Sequence, residues 1–576
     1  EALARGFRER FLNHVEITAQ LRAWATAFPE LARVETIGTT PEGRAIDVLV
    51  IGRDPERVRP AAWIDGNMHA TELCGSNVAL GVAEDVLRVH LTPDSELYGM
   101  APHVRDRLRE TLFYVLPRMS PDGAEVVLEH GRYVRSAPRD GRTNTLRPYW
   151  SISDIDGDGL CLCIRVKDDS GEYVESIDVP GMMLPRRLED PGPYFKIYPE
   201  GLIENWDGSS IPNPHYLADN EIDLNRQFPY MWGPEHEQIG AGDSAGSAPE
   251  ARAVIEYASR RPNIFAWLNL HTFGGVFIRP LGSESDKKMD ETDLALFRQI
   301  GAWNEELTGY PTVSGFEDFL YQPDKPLRGD LTEWAYHQRG AIAYVAELWD
   351  IFAQIGVERR KPFVDTYNYL SRDDMVRLGK WDAEVNKGRA IRPWKAAKHP
   401  QLGDVEVGGV DMRVGLSNPP LEYIDTVCRQ HSAAFLRVAA LAPHTAIAGV
   451  KLTALGSGVD QVRRVDVRVK NLGYLPTTFI ESARKLSINE PLELHATAHG
   501  CAIVDGVDAT HARRTVGHLE GWGRGLFSGS GTILWPTGKG NGSEKTVAFV
   551  VRGRGTVTVR AGSSRVGWVE KTIEVG

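Results

Sequence analysis

The chain has 576 residues, 42% of them hydrophobic, enough for a large buried core and, as a prior, about two to four domains. A formal net charge of −12 argues against a nucleic-acid-binding face, and no run of about 18 apolar residues offers a membrane span. The five cysteines (Cys74, Cys161, Cys163, Cys428 and Cys501) are too sparse for a disulfide framework, which favours the cytoplasm over secretion. Cys161-x-Cys163 reads as structural, and the first residues show no apolar leader.

In chain order, residues 13–29 are expected to form an amphipathic helix, with Val15, Leu21, Trp24, Ala25 and Phe28 at helical spacing. Strands are expected at 33–37, 45–51, 61–64 and 111–116, with a helix over 77–89. Residues 136–222 are rich in Asp, Gly and Pro without steady periodicity, and read as an insertion or elaborated loop region. Regular patterns return with helices at 248–261, 292–307 and 421–441 and strands at 265–270 and 341–348. Short buried strands alternating with helices predict an α/β domain with a mixed, mostly parallel sheet over residues 1–443. From 444 to 576 the pattern becomes strictly alternating, as in Val465, Val467 and Val469, and predicts an antiparallel β-sandwich.

Four features carry chemistry. His69-Ala70-Thr71-Glu72 follows a strand and puts an imidazole and a carboxylate on one turn. That spacing alone is common by chance. His271 ends the apolar strand at 265–270, where α/β proteins build their sites. Two His and one Glu form an open zinc set, leaving a fourth position for water. Glu347 ends another apolar strand, where it is either a salt-bridged surface group or a proton acceptor beside a metal. Asp223-Leu224-Asn225-Arg226 offers a guanidinium fork and an amide for a carboxylate, with Asp223 free to orient a ligand imidazole.

In this order, the features resemble the zinc carboxypeptidase family of the pancreatic carboxypeptidase type, over residues 10 to 440. The resemblance also includes Ile37-Gly38-Thr39-Thr40-Pro41-Glu42-Gly43-Arg44, Pro121-Asp122-Gly123 and Glu347-Leu348-Trp349-Asp350. It implies zinc held by His69, Glu72 and His271, with Glu347 as general base and acid. It also implies that Asn225 and Arg226 hold the terminal carboxylate of a peptide or amino-acid amide. Arg135, 13 residues after Asp122, matches the Arg that polarises the scissile carbonyl. Arg132 matches an auxiliary carboxylate-binding Arg, and Tyr321 the mobile Tyr that closes over substrate. Thr332 matches the floor of the side-chain pocket, near Asp330 and Glu333. Where digestive members carry Arg, this chain has Thr71.

Asp154, Asp156 and Asp158 alternate with Gly in a manner that suits calcium, although Arg165 stands where an EF-hand would place Glu. The expected activity is removal of a C-terminal residue from peptides. One alternative is a zinc amidase or deacylase acting on N-acyl or modified amino acids. Another is an inactive binding or scaffold protein, disfavoured because every implied catalytic residue is present. The long 136–222 segment is expected to narrow access to the site.

Overall fold

The structure, a computed structural model, describes residues 6–139, 146–214, 222–322, 324–456, 461–527, 529–535 and 538–576. Parts of the expected 136–222 insertion, residues 140–145 and 215–221, lie outside the described residues. No helix among the described residues is long and apolar enough to cross a membrane.

The core is an eight-stranded sheet formed by β1 (Ala32–Thr39), β2 (Ala45–Ile51), β3 (Ala61–Asp65), β4 (Leu112–Leu116), β5 (Ile264–Thr272), β6 (Val276–Arg279), β7 (Thr312–Ser314) and β8 (Ile342–Leu348). Its order is β1-β2-β4-β3-β5-β8-β6-β7. The central run β4-β3-β5-β8 is parallel, while β1, β2 and the β8–β6 pair are antiparallel. All nine residues of β5 are buried. Such strands read as continuous apolar runs because both sheet faces are covered. Helix Ile424–Ala439 lies against Cys74–Leu91 and Glu291–Thr308, while His14–Ala27 and Pro249–Ser259 lie against β1.

The first helix, His14–Ala27, is fixed by Asn13, which accepts the Glu16 N–H while Glu16 reaches back to the Asn13 N–H. Val15, expected on its apolar face, is instead 74% exposed. Ile17, Leu21 and Trp24 carry the buried stripe.

The described residues of the 136–222 segment include strands that pair into a sheet, where a loop region was expected. Its strands Cys163–Lys167, Tyr173–Glu175, Met183–Pro185 and Phe195–Pro199 join Ile391–His399 and Gly403–Val410 in a six-stranded sheet. The strands from this segment are three to five residues long and only partly buried, so no period-two signal accumulates. Arg165 ties the sheet together. Its guanidinium lies over Phe195 at 4.3 Å and Trp394 at 4.8 Å, and pairs with Glu175 and Glu406 at 2.8 and 2.7 Å. The chain then passes back to the core. Asn418 accepts the Cys74 N–H and donates to the Thr71 carbonyl, both at 2.9 Å.

From Thr445 the chain builds two four-stranded antiparallel sheets. Val465, Val467 and Val469 of one and Leu494, Val557 and Val559 of the other are fully buried. The alternation seen in the sequence is the inward-facing half of each strand.

Candidate active site

The site lies at the carboxyl ends of the central parallel strands, where β3 and β5 both hand over to loops. After β3 the chain turns sharply. Gly66 approaches Gly75 so closely that a Cβ at Gly66 would sit 2.4 Å from the Gly75 carbonyl carbon. Asn67 takes a left-handed conformation (φ 56°), and its side-chain amide donates to the carbonyls of His69 and Ala70 at 2.8 and 3.0 Å. Glu72 closes this turn just before helix Cys74–Leu91.

His69, Glu72 and His271 converge, and all three are buried. His69 Nδ1 is 2.9 Å from Glu72 Oε1, and His271 Nδ1 is 3.1 Å from Glu72 Oε2. The two Nδ1 atoms face each other at 3.0 Å. Behind them, His69 Nε2 meets Asp223 Oδ1 at 3.2 Å and His271 Nε2 meets Asn269 Oδ1 at 2.6 Å. Those acceptors hold the ring protons on Nε2, so both Nδ1 lone pairs point into one space. Two facing lone pairs and a carboxylate are mutually repulsive unless a cation sits between them. The donor set therefore fits a zinc ion.

Burial opposes ionisation of Glu72, yet His69 and His271 hold its carboxyl below the usual range. Burial lowers His271, against the raising influence of Glu72. Glu347 is pushed well above the usual carboxylate range by burial and by Glu72, against Arg135.

Asp223 links His69, Arg135 and Arg226 from one fully buried side chain. Besides His69, it accepts the Asn225 N–H at 2.8 Å, capping the turn Leu224–Arg226. Its Oδ2 lies 3.0 Å from Arg135 Nε and 3.9 Å from Arg226 Nη2. Burial works against its charge, but Arg135, Arg226 and His69 hold its carboxyl well below the usual range. Arg135 also lies 3.5 Å from Glu72 Oε1. Arg226 donates to the Asn225 carbonyl at 2.7 Å, and Asn225 Oδ1 accepts the Leu331 N–H at 2.9 Å.

One cleft is lined by His69, Arg135, Asn225, Arg226, His271, Tyr321, Thr332 and Glu347. Tyr321 is half-exposed there, edge-on to Phe319 with ring centres 5.8 Å apart. Arg132 is not brought in. It lines neither the cleft nor the adjoining space under Tyr133 and Met412, and its charge instead acts on Cys161.

Calcium finds no support. Asp154, Asp156 and Asp158 do cluster, but they cap their own loop. Asp154 accepts the N–H groups of Gly157 and Gly159, and Asp158 pairs with Lys395 at 2.9 Å.

Sequence reasoning missed Asp65 and Asn269. Asp65 is fully buried and accepts from Trp63, Trp267 and Asn269 at 2.8, 2.7 and 2.5 Å. Because Asn269 Nδ2 is held by Asp65, its Oδ1 faces His271. Burial pushes Asp65 up to about 6 against those three donors. The signal was available: Asn269 sits two before His271, on the same face of an otherwise apolar strand.

Residues 17–159 and 207–357, just over half of the chain, match the zinc carboxypeptidase family. Residues 444–574 match a family described only as a domain of unknown function. Carboxypeptidase B of Astacus astacus is 33% identical over 111 residues, covering 19% of this chain and 33% of that protein. Carboxypeptidase D of Anas platyrhynchos is 30% identical over 129 residues, covering 22% of this chain and 9% of that protein. The similarity thus spans a third or less of the length of these relatives. The crystal structure of carboxypeptidase A from Helicoverpa armigera aligns with a TM-score of 0.39 and 17% identity, covering 68% of this chain and 75% of that one. The extent of the family match makes this chain a member of the zinc carboxypeptidase family.

Proposed function

We propose that the protein is a zinc metallocarboxypeptidase that releases the C-terminal residue of peptides. One observation carries this reading. The convergent Nδ1 lone pairs of His69 and His271 share a cleft with the base Glu347 and with the Asn225–Arg226 pair.

His69, Glu72 and His271 would hold the zinc, which when bound supplies a water activated near neutral pH and a Lewis acid for the scissile carbonyl. Arg226 and the Asn225 amide bind the free α-carboxylate, so only the last amide bond reaches the reacting centre. Glu347 takes the proton of the attacking water on a carboxylate oxygen and returns it to the leaving amine. Its raised affinity for a proton, caused by burial, suits the second half of that task. Arg135 turns its guanidinium to the oxygen on which negative charge develops, a contribution of several kcal/mol in a dry site. Asp223 holds Arg135, Arg226 and His69 at fixed separations, so the clamp and the metal stay in register.

The test is cleavage of a mixture of short peptides differing at the last residue, read by mass spectrometry, with and without a chelator and beside Glu347→Gln. Loss of single C-terminal residues, abolished by chelation and by the substitution, is expected. Intact peptides with zinc bound would sink the proposal and move the search to small acyl-amino-acid substrates.

A further inference from the structure

Beyond the carboxylate clamp the cleft continues into a pocket whose wall includes Ile278, Arg279, Gly282, Asp330, Glu333 and Val345. Two of these are carboxylates on one short helix, Leu331–His337 and its cap. Asp330 accepts the Glu333 N–H at 2.9 Å and the Thr332 hydroxyl at 2.7 Å. Among the described residues both bonds fall on Oδ1. Glu333 is only 4% exposed, and neither of its oxygens has a hydrogen-bond partner among the described residues. The His337 Nε2 lies 3.4 Å from Oε2. Across from it, Gly282 has no side chain. A Cβ there would sit 3.7 Å from the Glu333 carboxyl carbon, so the approach stays open.

A desolvated carboxylate without a partner is costly, and a cation delivered to it recovers much of that cost. Arg279 does not fill this role. Its Nη2 is paired with Asp286, which also accepts the Ser314 hydroxyl at 3.0 Å, while its Nη1 has no hydrogen-bond partner among the described residues. That pair is neutral as a unit, which leaves the pocket the charge of Asp330 and Glu333.

We infer that this pocket takes the side chain of a C-terminal lysine or arginine, with Glu333 and Asp330 as its counter-ions. The inference rests on the carboxypeptidase reading, because it assumes that Arg226 holds the α-carboxylate beside the pocket. The neutral Thr332 at the expected pocket floor then acts indirectly, as the donor that orients Asp330. The opposite polarity, an acidic side chain drawn to Arg279, is what the experiment must exclude.

The zinc-loaded full chain is given peptides identical except for a terminal Lys, Arg, Leu or Glu. In parallel it is titrated calorimetrically with two substituted succinates, one bearing a guanidinoethylthio arm and one a benzyl arm. The expected result is a kcat/KM for Lys or Arg at least about tenfold above that for Leu, and tighter binding of the guanidinium compound. Asp330→Asn and Glu333→Gln should each shrink the Lys-to-Leu ratio, with zinc content and circular dichroism unchanged. Equal rates for Leu and Lys, or a preference for Glu, would overturn the inference; the latter would make Arg279 the determinant. Preferential binding of the guanidinium compound without any cleavage would uphold the pocket and sink the peptidase reading. If zinc binds but neither succinate does and no peptide is cleaved, both readings fall.

Discussion

His271 and Glu347 are register partners on the neighbouring parallel strands β5 and β8. Partners in a parallel ladder project to the same side, so the last imidazole of the candidate metal set and the proposed base are fixed relative to each other by backbone hydrogen bonds. Loop motion has little say in their separation. Shortening the base by one methylene should therefore not be absorbed locally. Glu347→Asp is expected to keep its zinc and to lose turnover by about 10²–10⁴, the usual worth of a positioned base. Rapid-quench cleavage with metal analysis checks this. Turnover within a few-fold of the parent would show that the carboxylate reach is not set by the strand pair.

The relay Asp65–Asn269–His271 makes a prediction of a different kind, because it acts on the metal and not on substrate. Asn269→Ala removes the acceptor behind His271 Nε2, found at 2.6 Å. The ring is then free to rotate or to change tautomer. Outer partners of this type contribute about 10–100-fold to metal affinity. Competition with a fluorescent zinc chelator should show a loss of that size, and Asn269→Asp, which keeps the acceptor but loses the donor to Asp65, should restore only part of it. An unchanged zinc affinity in the alanine variant would remove Asn269 from the site.

Much of the catalytic domain was legible because its strands are buried on both faces and its helices carry long apolar stripes. β5, β8 and the helices around residues 74–91 and 291–308 announce themselves for that reason. His69, Glu72, His271 and Glu347 stand at the ends of such elements, so locating the element located the residue. The second sheet was hidden because its strands are short and it draws Ile391–His399 and Gly403–Val410 from far along the chain. Pairings such as Glu406 with Arg165 leave no local trace. Arg132 shows the converse: it lies three residues from Arg135, but only Arg135 lines the cleft. The acidic pocket was half legible. Asp330 and Glu333 could be placed near Thr332 from the sequence, but that Glu333 lacks a partner is a property of the folded surroundings.

The pocket carboxylates should also set a pH dependence. Burial, then the charge of Glu333, raises Asp330 to about 6. Around it stand Arg226, Arg279, Tyr230 and His337, with Glu333 on its own helix. An acid raised above its unfolded value is held in its protonated form, so its negative charge is lost as pH falls through 6 and restored as pH rises. The ratio of kcat/KM for Lys-ended over Leu-ended peptides is therefore expected to drop several-fold between pH 7.5 and 5, at most about tenfold per unit. Taking the ratio cancels protonation events at the reacting centre, which both substrates share. A flat ratio, or one that rises towards low pH, would detach Asp330 from the preference.

The C-terminal sheets reach the turn at residues 339–340 through Arg565. This guanidinium is fully buried, lies 4.1 Å over the Phe479 ring, and donates to the carbonyls of Arg339, Gly340 and Thr478 at 3.3, 3.1 and 3.5 Å. Residues 339 and 340 form the turn between the helix that carries Glu333 and the strand that carries Glu347. A second tie runs parallel to it. Asp293 accepts the N–H groups of Glu481 and Ser482 at 2.7 and 3.1 Å and the Tyr336 hydroxyl at 3.0 Å. Arg565→Ala would leave a cavity and unpaired carbonyls, costing about 2–4 kcal/mol. Arg565→Met refills the volume without the donors and should cost less. Chemical denaturation measures both. Because the turn feeds Glu347 and Glu333 together, the alanine variant should also lose turnover and Lys preference at temperatures where it is still folded. A destabilised variant with unaltered kinetics would mean that the C-terminal sheets support the fold but not the site.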